Sequence, residues 1–139
     1  MTGPPLLVVD GANVVGSVPD GWWRDRYAAA ERLRDALVPY AATGLPPGAP
    51  APTWAGGVPL DVVLVVEGAA RGVGSVPGVT VRSAPGSGDD LIAEIAQGAR
   101  AGTAGPRRCL VVTADRGLRA RVIAAGAEVT GPRTVSRRP

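Results

Sequence analysis

Leu6-Leu-Val-Val-Asp10, followed by Gly11, Ala12 and Asn13, decides the fold. Four consecutive apolar residues closed by an acid and a glycine spell a short strand buried on both faces and stopped by a turn, because a strand with one wet face would alternate. The same signature returns twice. Leu60-Asp-Val-Val-Leu-Val-Val66 runs into Glu67 and a glycine, and Cys109-Leu-Val-Val112 exits through Thr113-Ala-Asp115. Val79-Thr-Val-Arg82 and Ala127-Glu-Val-Thr130 are shorter strands. Between them lie helical periodicities. From Trp23 to about Ala42, residues Trp23, Tyr27, Ala30, Leu33, Leu37, Tyr40 and Ala41 recur at three- and four-residue steps, predicting an amphipathic helix entered from Asp20-Gly21. Asp89 to about Ala101 carries Leu91, Ile92, Ile95, Ala96 and Ala99 on one face, and Arg116 to Ala125 reads as a third helix ended by Gly126. Apolar strands alternating with helices define an α/β protein with a parallel sheet covered on both faces. In such sheets the functional crevice lies beyond the carboxyl ends of the strands, where strand order reverses.

The chain has 139 residues, the size of one domain, expected over residues 1–132. Gly44–Pro59 holds nine Gly or Pro among sixteen residues and is expected to be a mobile loop, with Trp54 as its tether; residues 133–139 are expected to be a frayed basic tail. Composition removes much chemistry. There is no His, no Lys and a single Cys, Cys109. These absences exclude a Ser-His-Asp triad, imidazole acid–base catalysis, His or multi-Cys metal sites and a P-loop lysine. All fifteen basic residues are Arg, and the formal charge of +3 is compatible with a polyanionic partner. No apolar run reaches the roughly 18 to 20 residues of a membrane span. The amino-terminal residues lack the basic and apolar regions of a secretory signal, so a cytoplasmic location is expected.

The acids are not scattered. Asp10 and Glu67 end strands, Asp89 and Asp90 open a helix, and Asp115 follows a strand, so five of the twelve acids fall at one predicted edge of the sheet. Each has a purely local role open to it: an Asx turn at Asp10, helix caps at Asp89, Asp90 and Asp115, a solvated strand end at Glu67. Together they repel one another unless a positive charge intervenes, and oxygen ligands without His or Cys point to Mg²⁺ or Mn²⁺. Asn13 could orient a phosphate, a water or Asp10, or be a turn residue; Thr113 and Ser87 could bind phosphate or cap a helix.

Val8-Val-Asp-Gly-Ala-Asn-Val14, Val63-Leu-Val-Val-Glu67, Gly88-Asp-Asp-Leu-Ile-Ala93 and Val111-Val-Thr-Ala-Asp-Arg-Gly-Leu118, in this order, resemble the NYN branch of the PIN-like nuclease superfamily, in particular its small bacterial YacP-like group. The resemblance runs from Leu6 to about Val129. Its first and last motifs, Asp-Gly-x-Asn and Thr-x-Asp-Arg-Gly, are the specific ones. It implies a three-layer α/β/α, Rossmann-like fold with a mainly parallel sheet of about five strands, and metal-dependent endonucleolytic cleavage of RNA to 5′-phosphate and 3′-hydroxyl ends. By matching position, Asp10 would be the first metal ligand, Asn13 its motif partner, Asp89 or Asp90 the acid of the later helix and Asp115 the acid of the Thr-x-Asp motif. Glu67 stands where relatives often have Asp.

The resulting expectation is an endoribonuclease in which Asp10, Asp89 or Asp90, and Asp115 hold Mg²⁺ or Mn²⁺, with Glu67 as an outer or second-metal ligand. Asn13, Thr113, Arg116 and Arg119 would contact substrate, with Arg24, Arg26 and Arg71 near other strand ends. RNA is the expected partner, with a homodimer or a larger RNA-processing complex left open and no membrane. The alternatives are a non-catalytic RNA-binding or adaptor domain of the same fold, a small phosphohydrolase, or an interaction module in which the acids only cap helices. Gly72-Val-Gly-Ser-Val-Pro-Gly78 has the wrong spacing for a dinucleotide loop. Trp22 and Trp23 fit a hydrophobic staple at a helix start, or a stacking surface for an unpaired base.

Overall fold

A computed structural model describes residues 3–102 and 105–135. Five strands, β1 (Leu6–Asp10), β2 (Asp61–Val66), β3 (Val79–Ser83), β4 (Cys109–Val112) and β5 (Glu128–Thr130), form one sheet in the order β3-β2-β1-β4-β5. Every neighbouring pair is parallel. Helices α1 (Gly11–Gly16), α2 (Arg26–Thr43), α3 (Gly88–Arg100) and α4 (Arg116–Ala124) cover it. The continuous apolar runs are explained by the period of two. Leu7, Val9, Val62, Leu64, Val66, Leu110 and Val112 pack with Ala30, Leu33, Leu37 and Tyr40 of α2 on one face. Leu6, Val8, Val63, Val65, Cys109 and Val111 pack with Leu91, Ile92, Leu118 and Val122 of α3 and α4 on the other. The fold is therefore three-layered, with α1 and α2 on one side and α3 and α4 on the other.

Two helix boundaries differ from the sequence reading. The segment after Asp10 is not a bare turn: Asp10 caps α1 at once, and Gly11 permits this because a Cβ there would stand 2.6 Å from the Val65 carbonyl oxygen. The second helix begins at Arg26 rather than Trp23. Trp22–Arg24 form a separate 3₁₀ turn, and the Asp25 carboxylate accepts from the Ala28 N–H at 3.0 Å as the true cap. The expected tryptophan staple therefore has no place, since Arg24 is the residue preceding the cap.

The Gly/Pro-rich segment folds back on itself through a Leu45–Gly56 bridge and a 3₁₀ turn at Thr53–Ala55, burying Leu45 and Ala55. The expected tether is present: Trp54 Nε1 donates to Glu128 at 2.8 Å, and Thr130 Oγ1 donates to the Pro50 carbonyl at 2.6 Å. Residues 133–135, expected to fray, are docked: Pro132–Thr134 form a 3₁₀ turn, and Thr134 and Val135 are buried. Arg137 and Arg138 of that tail lie outside the described residues.

Candidate active site

The strand order reverses between β1 and β4, which places the crevice beyond their carboxyl ends. Asp10 follows Leu6 and Val8 in phase, Glu67 follows Val63 and Val65, and Thr113 follows Cys109 and Val111. All three side chains thus emerge on the α3/α4 side of the sheet edge, where the amino ends of α3 and α4 bring Asp89 and Asp115. The period of two converts strand ends far apart in the chain into one rim.

Asp10 is the innermost member, only 4% exposed. Thr113 Oγ1 donates to its Oδ2 at 2.9 Å, and the Asn13 N–H approaches Oδ1 at 3.4 Å. Burial nonetheless pushes the Asp10 carboxyl above its ordinary range, and the negative charges of Asp89 and Glu67 push it further. The Thr113 hydroxyl also accepts from the Asp115 N–H at 3.1 Å, so one side chain joins two acids. Asp115 caps α4 through the Leu118 N–H at 2.9 Å and keeps an exposed carboxylate. Glu67 is half-buried, and its Oε1 accepts from the Gly88 N–H at 3.1 Å.

The two adjacent aspartates at the start of α3 are separated by the structure. Asp90 turns outward and pairs with Arg121 of α4 at 3.0 Å. Asp89 is half-buried and raised from its ordinary range, first by burial and then by the charges of Asp115 and Glu67. Ser87 caps the helix, its hydroxyl accepting from the Asp89 N–H at 3.1 Å. Asp10 thus feels the charges of Asp89 and Glu67, and Asp89 feels those of Asp115 and Glu67, while Asp90, turned toward Arg121, contributes least.

The polar residues expected to contact substrate have structural tasks. The Asn13 side-chain oxygen Oδ1 accepts from the Ala114 N–H at 2.9 Å, tying α1 to the loop after β4. Arg119 Nε donates to the Thr113 carbonyl at 2.8 Å, fixing the end of β4 against α4. Arg71 likewise braces the carbonyls of Gly68 and Pro85. Arg116, on the exposed first turn of α4, makes no ion pair among the described residues. Sequence reasoning passed over Gly88, whose missing side chain leaves room for Glu67: a Cβ there would lie 2.6 Å from Oε1.

The donor set suits a hard divalent cation, being carboxylate oxygens with no imidazole or thiolate, and Arg121 offsets only part of the charge felt by Asp89. As placed, no three acidic side chains among the described residues stand close enough to share one ion.

These features define a three-layer α/β protein with a parallel five-stranded sheet and an acidic rim at its switch point. A solved structure with this architecture is that of Rae1 (YacP) from Bacillus subtilis, as its W164L mutant. The match covers 93% of this chain and 70% of that one, with a TM-score of 0.63 at 20% identity, and establishes a YacP-like fold. No protein-family model and no curated protein matches the chain.

Proposed function

We propose that the protein is a metal-dependent endoribonuclease whose working acids are Asp10, Glu67, Asp89 and Asp115. The observation that carries this reading is the convergence of four carboxylates from β1, β2, α3 and α4 on one side of the switch point. Mutual repulsion of this kind costs stability and is retained where a cation offsets it. Asp10, Asp89 and Asp115, with Glu67 outside them, would hold Mg²⁺ or Mn²⁺. A cation held there would supply Lewis-acid activation of a water and charge stabilisation for phosphodiester hydrolysis. The chain's own residues do the positioning. Thr113 and Asn13 hold Asp10 in one orientation, the Gly88 N–H holds Glu67, and Arg121 draws Asp90 away so that Asp89 alone faces inward. Arg116 is available to a phosphate on the outer side of Asp115. A cytoplasmic location accords with this role.

The test is cleavage of single-stranded RNA with Mn²⁺. The wild type should cleave, and Asp10→Asn and Asp115→Asn should fall to background. Asparagine caps helices as well as aspartate does, so Asp115→Asn separates chemistry from capping. Intact activity in both variants would sink the assignment. A second reading, a non-catalytic RNA-binding domain, draws on the spread of the carboxylates: no three are gathered as placed. It predicts RNA binding without cleavage at any Mn²⁺ concentration.

A further inference from the structure

Beside the acidic rim, on the α1/α2 side, a cavity of about 170 Å³ opens between Gly11, Trp22, Arg26 and Glu67. Glu67 belongs to both places, and Gly11 follows Asp10, so the cavity begins where the rim ends. Pockets for drug-sized ligands run to roughly 300–1,000 Å³; this one suits a single ring system. Trp22 and Arg26 form one side of its wall, whose other residues, apart from Glu67, are small and apolar. The Arg26 guanidinium lies 5.3 Å from the Trp22 ring centre, and next to the cavity, outside its lining, Arg24 lies 5.8 Å from the ring centre of Trp23. The two indoles meet edge to face at 6.0 Å and 88°. Beside the cavity, Trp23 of the 3₁₀ turn is 55% exposed and Tyr27 of α2 is 39% exposed, although the apolar periodicity of the sequence would bury both.

We infer that this wall is a base-stacking subsite, taking one unpaired base of a single strand whose phosphate lies at the rim. Indole and guanidinium planes stack bases of any identity, while the arginines attract the polyanionic backbone and repel cationic ligands. A base held in a duplex cannot enter, so the subsite selects single-stranded RNA. The inference deepens the nuclease reading and rests on it for the identity of the polymer, but stacking itself does not require cleavage.

The experiment measures binding of a fluorescent single-stranded uridine oligomer to the full chain in EDTA, with abasic sites placed singly along the oligomer. Trp22→Leu should weaken binding roughly 5- to 140-fold, the range expected for one stacked base. Trp22→Phe should retain most of it. One abasic position should weaken wild-type binding by a similar factor and have no further effect in Trp22→Leu. Trp23→Ser, an exposed change that leaves the core intact, should weaken binding less. If the wild type binds and cleaves while Trp22→Leu binds equally well, the subsite is overturned and the nuclease reading stands. Trp22-dependent binding with no cleavage in Mn²⁺ keeps the subsite and removes the nuclease reading. Absence of binding by the wild type, or a dimer that Trp23→Ser dissolves, overturns the subsite, the latter assigning the patch to a second copy.

Discussion

Thr113 joins Asp10 to the backbone of Asp115 through one hydroxyl, so its loss strands a buried acceptor and an N–H together. Thr113→Val keeps the shape and should cost about 1–3 kcal/mol in urea denaturation, whereas Thr113→Ser should cost less. Asp10 gives the opposite sign. Its carboxyl is raised above 3.8 in the folded chain, so the unfolded chain ionises first as pH rises. Folded stability therefore falls from the ordinary aspartate range up to the raised value, and the penalty persists above it. Asp10→Asn removes that penalty. In metal-free buffer at pH 7 its Tm should exceed that of the wild type, with a flatter pH profile, although the variant is expected to be inactive. A lower Tm would mean that the hydrogen bonds to Asp10 outweigh its burial. On the proposed reading, Asp10 would serve chemistry at the expense of the fold.

Among the elements, α1 depends on Gly11. Gly11→Ala drives a Cβ onto the Val65 carbonyl, backbone against backbone, and should destabilise by about 1–3 kcal/mol in the same denaturation assay. This helix was not legible in the sequence: Gly11–Gly16 is six residues long, with glycine at both ends and two valines, a poor helix by propensity, and it forms because Asp10 caps it and Val14 is buried. The strands were legible because each doubly buried strand is a continuous apolar run. The start of α2 was misread because Trp23 and Tyr27 fit the apolar period yet face solvent. At the site, the chain positions of the acids followed from strand ends and one helix start. Which of Asp89 and Asp90 faces inward did not, because the choice is made by Arg121 on another helix.

For the molecule as a whole, the rim's repulsion and the surplus of arginine predict two solution properties. Mn²⁺ should raise the Tm of the wild type, by an amount equivalent to about 2.7 kcal/mol at a hundredfold excess over its Kd, and should do far less for Asp115→Asn. RNA binding should weaken with salt, with a log–log slope of roughly −0.7 for each phosphate contacted; a flat salt response would remove the arginine contacts. The parallel order of the sheet also bears on the timing of synthesis. Asp10 and its partner Thr113 are 103 residues apart, and β4 completes the centre of the sheet only after three other strands have been made. At about 5–20 residues per second, roughly five to twenty seconds separate the two residues during translation. The nascent chain thus has no assembled rim until its last third has emerged, so on the proposed nuclease reading no cleavage can begin while most of the chain is still being made.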